Sequence, residues 1–73
     1  MTQAERVMTY LDEFHSISSW EAYRDLGITR LAARIADLER DGVHFDRKRE
    51  AVKNRYGETV YYTRYSIGEQ NNG

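Results

Sequence analysis

Apolar positions near the start of the chain recur at helical spacing. Ala4, Val7, Met8, Leu11 and Phe14 fall at i, i+3, i+4, i+7 and i+10, which predicts an amphipathic helix over Thr2–Phe14. Thr2 and Glu5 form a capping box at its start, and Glu5, Arg6, Asp12 and Glu13 take the solvent side. The helix reads as scaffold; Met8 and Tyr10 are the residues through which it would instead meet a second copy. His15–Ile17 is a connector with room for one ladder of strand. The helical period resumes at Ser18, which with Glu21 makes a second capping box, and Ile17 can staple onto Ala22. Leu26-Gly27 ends that helix, since Gly accepts the left-handed conformation. Trp20 and Tyr23 within it read as core, the alternative being that Tyr23 reaches out to a phosphate. Thr29 is the expected N-cap of the next helix, with Ile28 stapling onto Ala33. Leu31, Ile35 and Leu38 then form one buried stripe, and Gly42 follows the last turn.

From Val43 the period falls from 3.6 to 2. Residues 44–52 predict one strand and 59–67 a second, rich in β-branched and aromatic side chains. A three-residue loop, Arg55-Tyr56-Gly57, joins them with Gly57 left-handed. That register sets Val52 opposite Val60, Phe45 opposite Ile67 and Lys48 opposite Arg64. Phe45, Tyr65 and Ile67 share one face at the hairpin base, against the helices, and the outer part projects into solvent. Residues 68–73, GEQNNG, are polar and aperiodic and predict a disordered tail after a single domain over 1–67.

Two short helices joined by so tight a turn must cross sharply, the geometry of a helix-turn-helix. Arg30, Ala33, Arg34 and Asp37 occupy i, i+3, i+4 and i+7, a face set against the buried stripe. Arg30 and Arg34 repel each other by roughly 0.2–0.5 kcal/mol, so a helix built for stability alone would more often carry Glu at one of them. Ala33 between them permits close approach to a flat partner. At the start of the second helix of such a unit, Arg can pair with guanine O6 and N7 in the major groove. The plainer alternative is an ordinary solvated face with weak surface pairs.

The hairpin carries Arg47, Lys48, Arg49, Lys53, Arg55 and Arg64, with only Glu50 and Glu58 of opposite sign between Arg47 and Arg64. A projecting cationic hairpin beside a helix-turn-helix reads as a wing laid along phosphates, with Lys53 or Arg55 reaching toward the minor groove. Against it stands a hairpin whose cations merely discourage aggregation.

Net charge is −1, which on its face disfavours nucleic acid. The distribution alters that: residues 1–42 hold five Arg and eight Asp or Glu (−3), residues 43–73 six Lys or Arg and four acids (+2), and local sign matters more than the sum. Cysteine is absent, so there is neither disulfide nor thiolate metal site. His15 and His44 are not at ligand spacing, and no metal, cofactor or small-molecule ligand is expected. No apolar run approaches the ~20 residues of a membrane span, and the expected location is the cytoplasm of a bacterial or phage-infected cell. No Ser-His-Asp set or Gly-rich phosphate loop is present, and so short a chain cannot wall off a pocket, which argues against an enzyme.

LGITRLAARIADLERDG, then KNRYGE, then TRYSI together resemble a family of small winged helix-turn-helix proteins encoded by bacteriophages and prophages. The likeness spans roughly residues 3–67. It implies an α+β fold, three helices followed by a two-stranded β-hairpin wing, and a role as a DNA-binding regulator or recombination accessory factor. Thr29, Arg30, Ala33 and Arg34 match the start of the recognition helix, and Asn54 to Gly57 match the wing tip. The chain departs from the wider pattern at Tyr23, four before Gly27, where a small residue such as Ala is usual.

The leading expectation is sequence-selective binding of double-stranded DNA, as a homodimer or in tandem on repeated sites, since one small module binds weakly. Its site comprises Thr29, Arg30, Ala33, Arg34 and Asp37 on the recognition helix, and Arg47, Lys48, Arg49, Lys53, Asn54, Arg55 and Tyr56 on the wing. The competing expectation is a protein-interaction module on the same scaffold, such as an inhibitor of a host protein, favoured by the acidic first helix and by Tyr61, Tyr62 and Tyr65.

Overall fold

Both capping boxes form as their spacing requires. In the computed structural model, which describes residues 1–68, Thr2 Oγ1 accepts from the Glu5 N–H at 3.1 Å while Glu5 Oε1 accepts from the Thr2 N–H at 2.8 Å. Helix α1 runs Gln3–Phe14. It ends on His15, left-handed at φ 72°, a conformation uncommon outside glycine, and the chain passes straight into strand β1, Ser16–Ser18. Ser18 and Glu21 repeat the reciprocal bonds at 3.1 and 2.9 Å and start α2, Ser19–Leu26. Gly27 at φ 68° closes it, and the Gly27 and Ile28 N–H groups return to the carbonyls of Tyr23 and Ala22. Helix α3 is Leu31–Arg40. Strands β2, Phe45–Lys53, and β3, Thr59–Ile67, follow.

The sheet is antiparallel in the order β1-β3-β2. Its hairpin register is Phe45 with Ile67, Lys48 with Arg64 and Val52 with Val60, as the turn chemistry predicts. The connector strand adds a third ladder, pairing Ile17 with Tyr65. That places both in the core with Val7, Tyr10, Leu11, Ala22, Ile28, Leu31, Ile35 and Leu38. Nine-residue strands span ~30 Å, and the hairpin gives the molecule its longest extent, 46 Å against 28 and 21 Å.

Four expectations need correction. Trp20 and Tyr23 are not core: they are 47% and 56% exposed and stack on each other at 6.1 Å. The inward stripe of α2 is Ala22 and Leu26, one turn apart, and residues 20 and 23 lie off it. Ala22, fully buried, is the small residue that lets the helices approach, one position earlier than the wider pattern has it. Phe14 is likewise exposed, since it is the last residue of α1. Tyr10 takes the inner position instead, with its hydroxyl donating to Asp25 Oδ2 at 2.8 Å. Thr29 is not the N-cap of α3. Arg30 occupies that position without a side-chain hydrogen bond, because burial of Ile28 (1% exposed) delays the helix by one residue. Finally, Gly68 is buried and donates to the His44 carbonyl at 2.7 Å, so it packs with the domain and not with a tail. Residues 69–73, the rest of the expected tail, lie outside the described residues.

Candidate nucleic-acid interface

Strand pleating divides the wing into two faces. Arg47, Arg49, Ala51 and Lys53 alternate onto one, opposite Tyr65, Thr63, Tyr61 and Thr59. Lys48, Glu50 and Val52 fall on the other, opposite Arg64, Tyr62 and Val60. The first face meets α3: Arg47 reaches Glu39 through two hydrogen bonds of 2.7 and 3.1 Å, and Thr63 and Tyr65 line an open groove with Thr29, Arg30, Ala32 and Ala33. The second meets α2, where Trp20, Glu21 and Arg24 border Val52, Tyr62 and Arg64. The alternation therefore parts Lys48 from Arg49 and Lys53, which share the side of the groove.

Along α3, the residues assigned to one outward face separate. Arg30 is exposed at the helix start and has no carboxylate partner among the described residues. Arg34 is half-buried on the flank, its side chain 33% exposed. Its Nε lies 3.3 Å from Asp37 Oδ2 and is buried with no hydrogen bond among the described residues. Asp37 also takes a hydrogen bond from Arg40, so one carboxylate holds two guanidinium groups. With Leu31, Ile35 and Leu38 pointing inward, a step of ~100° per residue puts Ala33, Ala36 and Arg40 outermost and Arg34 beside the core stripe. Spacing of i, i+4 from Arg30 does not carry Arg34 outward, because Arg34 stands only one step before Ile35 and about 60° from Leu31 on the helix projection. The N–H groups of Leu31 and Ala32 lack intrahelical partners, as first-turn donors do, and both residues line the groove.

At the wing tip, Asn54 is structural. Its Oδ1 accepts from the N–H groups of Tyr56 and Glu58 at 2.9 and 3.0 Å, while its backbone N–H and carbonyl bond Glu58 and Gly57. Gly57 is left-handed at φ 78°, as a three-residue loop demands. Held on this loop, Lys53, Arg55 and Tyr56 are all exposed. Arg49 lies 4.5 Å from the centroid of Tyr61, a cation–π contact that keeps the guanidinium in place while leaving it solvated. Arg47, by contrast, is engaged with Glu39 and sits over Tyr65 at 5.4 Å.

The like-charge opposition of Lys48 and Arg64 is relieved from a third side. Arg64 bonds Ser16 and Glu21 at 2.9 Å each and pairs with Glu50 at 2.9 Å, joining β1, α2, β2 and β3. Burial pushes the Glu21 carboxyl up, but the Ser18 N–H and Arg64 outweigh it and hold it below the ordinary range. Arg47 likewise holds Glu39 down. Behind the helices, Arg24 and then Tyr10 bring Asp25 down to about 2. Burial and the bond to Asp25 push the Tyr10 phenol up to about 12.

Ser19 and Thr63, which also line the groove, escape sequence reasoning; only the period-two alternation of Thr63 between Tyr61 and Tyr65, combined with the register, points to the latter. Among the described residues, no helix is long and apolar enough to cross a membrane. A family model described as a winged helix-turn-helix domain matches residues 2–70. No curated protein and no solved structure matches the chain.

Proposed function

The chain belongs to the winged helix-turn-helix domain family, and from that premise we propose that it binds double-stranded DNA with sequence selectivity, as a phage or prophage regulator or a recombination accessory factor. The observation that carries this reading is the open groove between the start of α3 and one face of the wing, lined by Arg30 and Thr63 and continued outward along that face by Arg49 and Lys53; among the described residues none of these three cations has a carboxylate partner. A duplex seated there meets the first turn of α3 in its major groove. Arg30 reads base edges, Ala33 allows the approach, and Thr29 with the free N–H groups of Leu31 and Ala32 takes a phosphate. Arg34 joins the readers on release from Asp37. Arg49, Lys53 and Arg55 hold the backbone with Tyr56 beside them at the wing tip, Asn54 shapes that tip, and Arg47 sets the angle of the wing. Lys48, across the pleat, serves the general field rather than a contact. One module of this size implies a homodimer or tandem copies on repeated half-sites.

A second reading draws on the other face. Trp20, Tyr23 and Val52 are each about half exposed, and aromatic residues beside Arg are common anchors of protein interfaces; a host protein docked there would suit an inhibitor. Selection of bound duplexes from a random pool, repeated across salt, separates the two. DNA binding yields an enriched motif and affinity that falls steeply with salt. Absence of retention on mixed duplex at low salt overturns it and leaves the protein-docking reading.

A further inference from the structure

Most exposed aromatic rings in the described chain have a partner. Phe14 lies against Tyr10, Trp20 against Tyr23, and Tyr61 beneath Arg49. Tyr56 has none. It is 79% exposed at the tip of the wing, on the loop most heavily tied by its own hydrogen bonds. The Asn54 side chain accepts from its N–H, and the Asn54 backbone bonds Gly57 and Glu58, the two residues that follow Tyr56. Among the described residues, its neighbours Lys53 and Arg55 have no carboxylate partner. A large ring on a stiff loop, turned away from every apolar surface of its own chain and flanked by cations, is built to enter something else.

We infer that Tyr56 is a wedge that enters the DNA minor groove and parts a base step, while Lys53 and Arg55 neutralise the strands on either side. This rests on the duplex-binding reading above. The reach fits. Thr63 lines the groove beside α3, and six residues of extended chain separate it from Gly57, or ~20 Å. Half a helical turn of DNA, from a major groove to the adjacent minor groove, is ~17 Å. The minor groove is ~6 Å wide, which admits the tip of a hairpin but not its full side-chain width. Flat rings stack on any base, and apolar side chains wedged between steps kink the duplex toward the major groove. Tyr56 therefore makes the wing sensitive to how easily a step unstacks. The selectivity it adds favours flexible pyrimidine–purine steps over stiff ones at a position that no hydrogen bond reads.

The test uses the full chain and a duplex recovered by selection from a random pool, with 2-aminopurine placed in turn at each position flanking the motif. At saturating protein, the wild type raises fluorescence at one step about half a turn from the motif centre. Tyr56→Ala abolishes that rise and weakens binding about tenfold, the loss of one stacked ring. Tyr56→Phe keeps both, because the ring and not the hydroxyl acts. Arg55→Ala weakens binding yet retains the rise in the saturated complex. A wild-type complex silent at every position overturns the wedge while leaving duplex binding intact. So does a Tyr56→Phe variant that behaves like Tyr56→Ala, which makes the residue a phosphate contact through its hydroxyl. If the wild-type chain binds no duplex, the wedge and the reading beneath it fall together.

Discussion

Arg47 at the root of the wing grips Glu39 on α3 with both terminal nitrogens, at 2.7 and 3.1 Å. The pair fixes the angle between the two elements that border the groove. Both side chains are well solvated, 48% and 36% exposed, so the contact adds little to stability; its value lies in position. Arg47→Ala and Glu39→Gln should each weaken binding to a selected duplex about threefold, and the double variant should be no worse than either alone, the signature of a shared interaction. Titration of a labelled duplex checks this. Were Arg47 a phosphate contact, Glu39→Gln would instead strengthen binding by removing a negative charge from the surface.

The Asp25 carboxylate, held by Arg24 and by the Tyr10 hydroxyl, makes stability depend on pH at both extremes. The phenol is pushed from its ordinary value up to about 12, so the folded state favours the neutral form. Its contribution is complete below pH 10 and is lost as pH rises toward 12. Asp25, lowered to about 2, contributes above pH 4 and fails as pH falls through 2. Thermal melts should therefore show a loss on the alkaline side that is smaller in Tyr10→Phe. At neutral pH that variant should be less stable by about 1 kcal/mol, the worth of one hydrogen bond. An unchanged alkaline limb in Tyr10→Phe would assign the loss to other groups.

These features differ in how far the residues alone disclose them. Local rules sufficed where one short stretch decides the outcome. Thr2 with Glu5 and Ser18 with Glu21 declare two helix starts, Gly27 a stop, and Gly57 a loop length that sets the pairing of Val52 with Val60. They failed where a distant element decides. Nothing near Tyr10 tells of Asp25, and nothing near Arg64 tells of Glu21, because those neighbours arrive only when α2 folds back over α1 and the sheet. Phase was the other source of error. Arg34 was grouped with Arg30 and Ala33 by spacing alone, whereas its angle from Leu31 and Leu38, about 60° and 40° at 100° per residue, already set it on the flank of the buried stripe. The pleat that sets Lys48 apart from Arg49 was legible, since the register was, but the side of the sheet that meets α3 was not.

Asp37 holds Arg34 and Arg40 together on the helix assigned to the major groove, and it is itself a negative charge facing the polyanion. Asp37→Asn should raise affinity for all duplexes several-fold, through a freed guanidinium and one less repulsive charge. It should also lower the preference for the selected motif over scrambled DNA, as Arg34 becomes free to reach phosphates as well as bases. Competition between motif and scrambled duplexes measures both. A variant with unchanged affinity would mean that this stretch of α3 stays clear of the groove.

The last prediction follows from the two faces of the wing. Lys48 and Lys53 are both exposed lysines on β2, alike in charge and chemistry, so any difference between them must come from direction. Lys53 shares the pleat with Arg49 on the face that turns to the groove, nearer the wing tip, whereas Lys48 projects beside Arg64 and Glu50 on the opposite face. Counterion release counts phosphates neutralised: each contact contributes ~0.9 to the slope of log affinity against log salt. Lys53→Ala and Arg55→Ala should each lower that slope by about 0.9. Lys48→Ala should leave the slope unaltered and weaken binding only slightly, through the long-range field that salt screens within ~10 Å. Measurement of affinity at several salt concentrations for the three variants decides it. Equal slopes for Lys48→Ala and Lys53→Ala would show that the duplex does not lie in the groove between α3 and the wing, because no single straight helix seated there touches both faces of a two-stranded ribbon.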